Sequence, residues 1–251
     1  MLKLYGVPLS QPFRSIAWTL LQHQVRFEIV LTVPGVKSKF GSLHESFTSK
    51  SRGLASTVPL LEDGGVCISE SPAILSYLCE RYGFDSWYGS PGSERKAIVD
   101  SYMHWHHGGT RKLAKLQVPS IRPDLNYTVT EKDVEEITQV LQSLENGWLQ
   151  DDAYIAGSDL SIADMLAYEE FTQVYMTGLL PQLEEYPRAS AWVNRMTQLP
   201  YHTEAHHALT ILGNLKEPNE TSMPKRLGNA TKSAMKVLKE VQDSFPAASK
   251  L

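Results

Sequence analysis

The stretch STVPLLEDGGVCISESPAILSYL, residues 56–78, sets two short apolar runs around Asp63-Gly64-Gly65 and follows them with a helix-like run. An Asp-Gly-Gly turn between alternating apolar residues predicts a tight antiparallel hairpin, because its central positions need positive φ. In the run that follows, Ser71 reads as an N-cap with Pro72 at the first helical position. Ala73, Ile74, Tyr77 and Leu78 then face inward, and Gly83 ends the helix. Upstream, Leu2 and Leu4 alternate into Tyr5, and Phe13, Ile16, Ala17, Leu20 and Leu21 recur on one helical face after Pro12. Val25, Phe27, Ile29 and Leu31 return to period two. The order is β-α-β, a polar loop, then β-β-α, and the first unit is expected to be parallel and right-handed.

Downstream the pattern changes. Residues 84–94, FDSWYGSPGSE, concentrate Gly, Pro and Ser and predict a linker rather than an element. Long 3.6-period segments then run over 94–116, 130–150, 161–177, 187–199 and 203–215, with capping signals at Thr130–Asp133 and Ser161–Asp164. The expected organisation is a domain over 1–84, a linker over 85–93, an all-helical domain over 94–215 and a tail over 216–251. In that tail a mobile connection precedes an amphipathic helix carrying Ala234, Val237, Leu238 and Val241.

The chain has 251 residues, 42% of them hydrophobic, enough for a sizeable core. A net charge of −4 argues against a nucleic-acid partner, and no apolar run is long enough to span a membrane. Cys67 and Cys79 sit in apolar segments without a disulfide framework. We read both as core thiols and the setting as reducing and cytoplasmic.

Three places could carry chemistry. At Ser10-Gln11-Pro12 a helix starts, and its unpaired amides and dipole would hold an anion or favour a thiolate. Ser10 is either a plain cap or a hydroxyl aimed at that sulfur. At Glu70-Ser71 a second helix starts, where the Ser71 amide and hydroxyl suit a carboxylate and Glu70 suits an ammonium group. Between them, a cis bond at Val58-Pro59 would turn the Val58 backbone toward a peptide-like ligand. His202, Glu204, His206 and His207 have helical spacing, but nothing supplies the converging ligand set a metal needs.

The 56–78 stretch closely resembles the cytosolic glutathione transferases, whose thioredoxin-like α/β domain precedes an all-α helical-bundle domain. LYGVPLSQPFR, the WYG start and VDSYMHWHHGGTRK resemble the theta class, and LSIAD is similar to that family's helical capping segment. The resemblance implies glutathione as co-substrate, an apolar electrophile as its partner, a homodimer and no metal. It implies that Ser10 assists ionisation of the thiol and that Arg111 reaches the electrophile side, unless Arg111 merely pairs with Asp100 or another acid. It further implies that Gln11, His44, Val58, Pro59, Glu70 and Ser71 hold glutathione. Thr57 stands where the family usually has a lysine, and the segment LAKLQVPSIRPDLNYT matches nothing transferable. A non-catalytic binding or docking protein on the same fold, and a glutathione-dependent dehalogenase, isomerase or reductase, are the alternatives.

Overall fold

The computed structural model describes residues 1–53, 56–180, 183–217, 219 and 221–246. It divides into two compact units: Met1–Ile74 with Pro200–Ile211 and Leu227–Leu251, and Leu75–Leu199 with Leu212–Arg226. Leu54 and Ala55, ahead of the Val58-Pro59 pair, and the end of the tail lie outside the described residues.

The first unit holds a four-stranded sheet in the order β2-β1-β3-β4, with β1 Leu2–Gly6, β2 Phe27–Leu31, β3 Leu60–Asp63 and β4 Val66–Ser69. β1 and β2 are parallel and joined by α1, Gln11–Gln22, whereas β3 runs antiparallel to both β1 and β4. Gly64 and Gly65, at φ 55° and 92°, close the β3–β4 hairpin between paired Asp63 and Val66, as the primed turn requires. Alternation along β1 splits the core. Leu4 pairs with Leu61 and both are fully buried, while Tyr5 pairs with Leu60 on the other face. There Phe47, from the short helix α2, Glu45–Thr48, completes a small cluster with Tyr5 and Leu60. Cys67 packs against this cluster and is only half-buried, unlike Cys79, whose thiol burial pushes up to about 12. A strand residue beside an exposed Val66 is only partly shielded, so the expectation of a core thiol holds for Cys79 and fails for Cys67.

Helix α3, Ser71–Tyr82, follows β4. The 84–94 stretch contains a four-residue helix, α4, Asp85–Tyr88, so that part of it is an element and not plain linker. Arg95 accounts for the order there, since its guanidinium ties the carbonyls of Ser86, Ala156, Asp159 and Leu160 together.

The expected helix over 94–116 breaks in two, into α5, Glu94–Trp105, and a 3-10 segment, Thr110–Gln117. The break follows from packing: a Cβ on Gly109 would stand 2.5 Å from the Trp105 ring. Next come α6, Val118–Ile121, α7, Glu131–Ser143, with a π-helical turn at Leu144–Trp148, α8, Ile162–Tyr175, and α9, Pro187–Thr197. The 203–215 segment also divides, into α10, His202–Ala205, and α11, His207–Leu212.

The tail helix α12 covers Met223–Asp243, reaching back into residues we assigned to the connection. Its buried stripe is Ala230, Ala234, Leu238 and Gln242, an i, i+4 series of small and apolar side chains ending in an amide. Val237 and Val241 are half-buried at the margin. Gln242 Oε1 accepts from the Phe27 amide of edge strand β2 at 2.7 Å, and Arg26 donates to the Phe245 carbonyl at 2.5 Å. Phe27 pairs with Leu2, so this end of α12 caps the edge at the start of the parallel pair, the end opposite Ser10.

Candidate active site

The sheet register decides which loops meet. Tyr5, Leu60 and Ser69 lie in one line across β1, β3 and β4. The chain leaving β1 toward Ser10, the Val58-Pro59 pair entering β3 and the Glu70-Ser71 pair leaving β4 therefore all emerge at one end of the sheet. Gly6 joins them closely. At φ +154° a Cβ there would stand 2.7 Å from the Phe13 ring and 3.5 Å from Val58 Cβ, so strand end, first helix and proline segment come together on a residue without a side chain.

Ser10 occupies the N-cap position of α1 with extended backbone, φ −80° and ψ 125°, yet its hydroxyl makes no capping bond. Its amide donates to the Val7 carbonyl at 2.9 Å and its carbonyl accepts from the Arg14 amide at 3.0 Å. The backbone performs the cap geometry and leaves the half-buried hydroxyl uncommitted among the described residues. Arg14, which the sequence reading missed, lies 1% exposed on α1 and donates to the Pro8 and Leu9 carbonyls at 3.2 and 3.0 Å, fixing the loop that delivers Ser10. A buried arginine on an amphipathic helix was its only signal. Beside Ser10, Gln11 is 5% exposed and its Nε2 has no hydrogen-bond acceptor among the described residues. A buried amide in that state calls for an acceptor.

The Val58-Pro59 bond is cis. α3 begins at Ser71, not after it, so that Glu70 takes the position ahead of the helix at φ +70° and its carbonyl accepts from the Ile74 amide at 2.9 Å. The offset arises because Glu70 adopts the left-handed conformation that turns the chain from strand to helix. Ser71 is buried in the first turn, and Glu70 remains exposed. His44 sits apart from these three loops in the chain, beyond β2, and caps α2: its Nδ1 accepts from the Ser46 amide at 3.2 Å, leaving Nε2 outward of that bond. Thr57 is exposed.

Arg111 belongs to the second unit, at the start of the 3-10 segment. It does not pair with Asp100, whose carboxylate accepts from Tyr88 at 2.7 Å; it donates instead to Glu170 of α8 at 2.9 Å. His202 and His206, read for possible metal spacing, pack edge-to-face against Trp18 at 5.6 and 4.9 Å between ring centroids, and His207 Nε2 meets Ser233 Oγ at 2.8 Å. A depression of about 740 Å³ on the second unit is lined by Gln139, Gln142, Ser143, Asn146, Gly147 and Trp148, none of them titratable near neutral pH, and offers no chemistry.

With this geometry in place, the comparisons with known proteins are specific. Residues 4–92 match the glutathione S-transferase N-terminal domain and residues 113–200 match the glutathione S-transferase C-terminal domain. Glutathione S-transferase theta-1 of Gallus gallus is 32% identical over 239 residues, covering 86% of this chain and 90% of that protein. Among solved structures, the apo form of human glutathione S-transferase T1-1 aligns over 94% of this chain and 100% of its own, with TM-score 0.71 and 26% identity. A glutathione transferase homologue from Drosophila mojavensis, solved with bound glutathione, aligns over 95% and 96% with TM-score 0.68 and 26% identity. A thioredoxin-like sheet with its strand-end loops converging, a helical unit behind the second family match and near full-length similarity to theta relatives together place this chain in the glutathione S-transferase family, similar in sequence to its theta class.

Proposed function

We propose that this enzyme conjugates glutathione to apolar electrophiles and that the Ser10 hydroxyl activates the thiol. Glutathione supplies the sulfur nucleophile. Ser10 donates its hydroxyl hydrogen to that sulfur, and the positive end of α1 adds to the field. Lowering a thiol from near 8.5 by about two pK units makes the thiolate dominant at neutral pH, a differential stabilisation of about 2.7 kcal/mol. One charge-assisted hydrogen bond with the helix end supplies that much.

The observation that carries this reading is the uncommitted hydroxyl: a serine at the N-cap position normally spends its oxygen on its own helix, and Ser10 does not. Gln11 Nε2 then has a ligand acceptor, the Val58 backbone pairs with the cysteinyl unit, Glu70 and Ser71 take the ammonium and carboxylate of the γ-glutamyl end, and His44 Nε2 reaches toward the glycyl end. Arg111 stabilises negative charge on the departing group. With a halide substrate the C–S bond forms as the carbon–halogen bond breaks, the halide leaves with the electron pair and the thiol proton passes to solvent. We take the enzyme to act in the reducing cytoplasm as a homodimer, which sedimentation equilibrium tests directly.

The decisive experiment titrates thiolate absorbance of enzyme-bound glutathione in wild type and Ser10→Ala. The expected result is a bound-thiol pKa up to about two units higher in the variant and turnover at neutral pH reduced by up to about 25-fold, with glutathione affinity nearly unchanged. Equal turnover in the two proteins overturns the assignment.

A further inference from the structure

Helix α8 is buried along Ile162–Val174, and that interior includes the carboxylate of Glu170, whose side chain is 1% exposed. A carboxylate so placed needs a compensating charge. Arg111 supplies it through one amino group, NH1, at 2.9 Å, while the Arg111 side chain stays 42% exposed. No other hydrogen bond from this guanidinium is present among the described residues, so Nε and the second amino group are available at the surface.

The base of this pair is rigid. The Arg111 amide donates to the His106 carbonyl at 3.2 Å, Tyr102 Oη meets Thr110 Oγ1 at 2.8 Å, and His106 Nδ1 meets the same Thr110 oxygen at 3.1 Å. His106 Nε2 stands 3.8 Å from Glu170 Oε1. Burial first, then His107 and Arg111, hold the His106 imidazole down to about 3, so it is neutral and adds no charge beside the carboxylate. The guanidinium of Arg111 and the neutral ring of His106 are thus both within 4 Å of Glu170 Oε1.

We propose that Glu170 is a positioning and specificity-determining residue: it holds Arg111 by one amino group and offsets its standing charge. The surface beyond Arg111 then attracts a standing anion only weakly, while the guanidinium is held in place for a group that sheds negative charge close against it. This rests on the reading of Arg111 as an electrophile-side residue. A neutral electrophile that sheds an anion fits such a site; an electrophile or inhibitor with a permanent sulfonate does not.

The test compares wild type, Glu170→Gln, Glu170→Asp, Arg111→Ala and the Arg111→Ala/Glu170→Gln double variant. Each is assayed for turnover of 4-nitrobenzyl chloride, glutathione KM and inhibition by benzenesulfonate. Glu170→Gln is expected to lower kcat about three- to tenfold at unchanged glutathione KM and to strengthen benzenesulfonate inhibition about tenfold, an effect that weakens with salt. Glu170→Asp, which keeps the charge, should retain weak inhibition, and the gain should vanish when Arg111 is also replaced. A Glu170→Gln enzyme with wild-type inhibition, or a gain that persists without Arg111, overturns the proposal. The underlying reading fails separately, if Arg111→Ala alone leaves turnover of the chloride unchanged. Should Glu170→Gln not fold, a Glu170→Asp enzyme inhibited about tenfold more strongly than wild type counts against the proposal, and one inhibited as weakly as wild type supports it.

Discussion

Ser10 separates two effects that usually coincide at a helix start. Replacing a capping serine by alanine ordinarily costs about 1 kcal/mol, because a helix amide loses its acceptor. Here the hydroxyl makes no such bond, so Ser10→Ala should shift the urea midpoint by less than about 0.3 kcal/mol equivalent while turnover collapses. Gly6 is the opposite case, structural in cause and functional in consequence. Gly6→Ala drives a methyl group to within 2.7 Å of the Phe13 ring and 3.5 Å of Val58. Relief requires the strand end, α1 or the proline segment to move. We expect a loss of about 1–3 kcal/mol in stability and a weaker grip on glutathione, read by thermal unfolding and equilibrium dialysis. Retention of wild-type affinity would show that the three loops are not mechanically joined there.

Among elements, α8 shows how one capping residue can organise a whole unit. Asp164, visible in the sequence as the third residue after Ser161, accepts from the Ser161 amide at 2.9 Å and hydroxyl at 2.6 Å. It also takes the Ile155 amide at 2.8 Å and the Trp192 indole at 3.0 Å. The capping signal anticipated the first pair; the second pair comes from segments far along the chain, which spacing does not reveal. Asp164→Ala should cost about 2–4 kcal/mol, more than an ordinary cap, because four buried donors lose their acceptor together. Chemical denaturation measures it, and a loss near 1 kcal/mol would reduce Asp164 to a simple cap. Glu145 has a related tertiary role: within the π-helical turn, its carboxylate accepts from the amides of Arg188 and Ala189 at 2.9–3.0 Å, closing the start of α9.

For the molecule as a whole, desolvated imidazoles contribute to the acid side of the stability curve. The His106 pKa is lowered to about 3 and that of His23 to about 4, both by burial first. An unfolded histidine titrates near 6.5, so below that pH the unfolded chain binds protons that the folded chain refuses, and stability falls as pH falls. At pH 5 the fully buried His106 alone should cost about 2 kcal/mol relative to neutral pH. Urea midpoints between pH 7 and 4.5 should decline accordingly, and His106→Gln should flatten that decline. An unchanged slope in the variant would show that His106 takes up a proton before the fold opens.

What the sequence alone determined is what short-range periodicity and turn chemistry encode. The β-α-β and hairpin-helix order, the Gly-Gly turn, the Ser161–Asp164 cap and the tail amphipathicity depend on neighbours within a turn or two, and each is legible there. The resemblance added the candidate residues, and the sheet register brings the loops carrying Ser10, Val58-Pro59 and Glu70-Ser71 to one strand end. Other features rest on partners distant in the chain: the break of the 94–116 helix where Trp105 lies on Gly109, the helix inside the expected linker, Arg14 under the Ser10 loop, and Glu170 behind Arg111. Only tertiary structure decided these. A buried charge is stable only where a specific counter-group meets it, and a helix ends where a side chain occupies its path; no local pattern records either meeting.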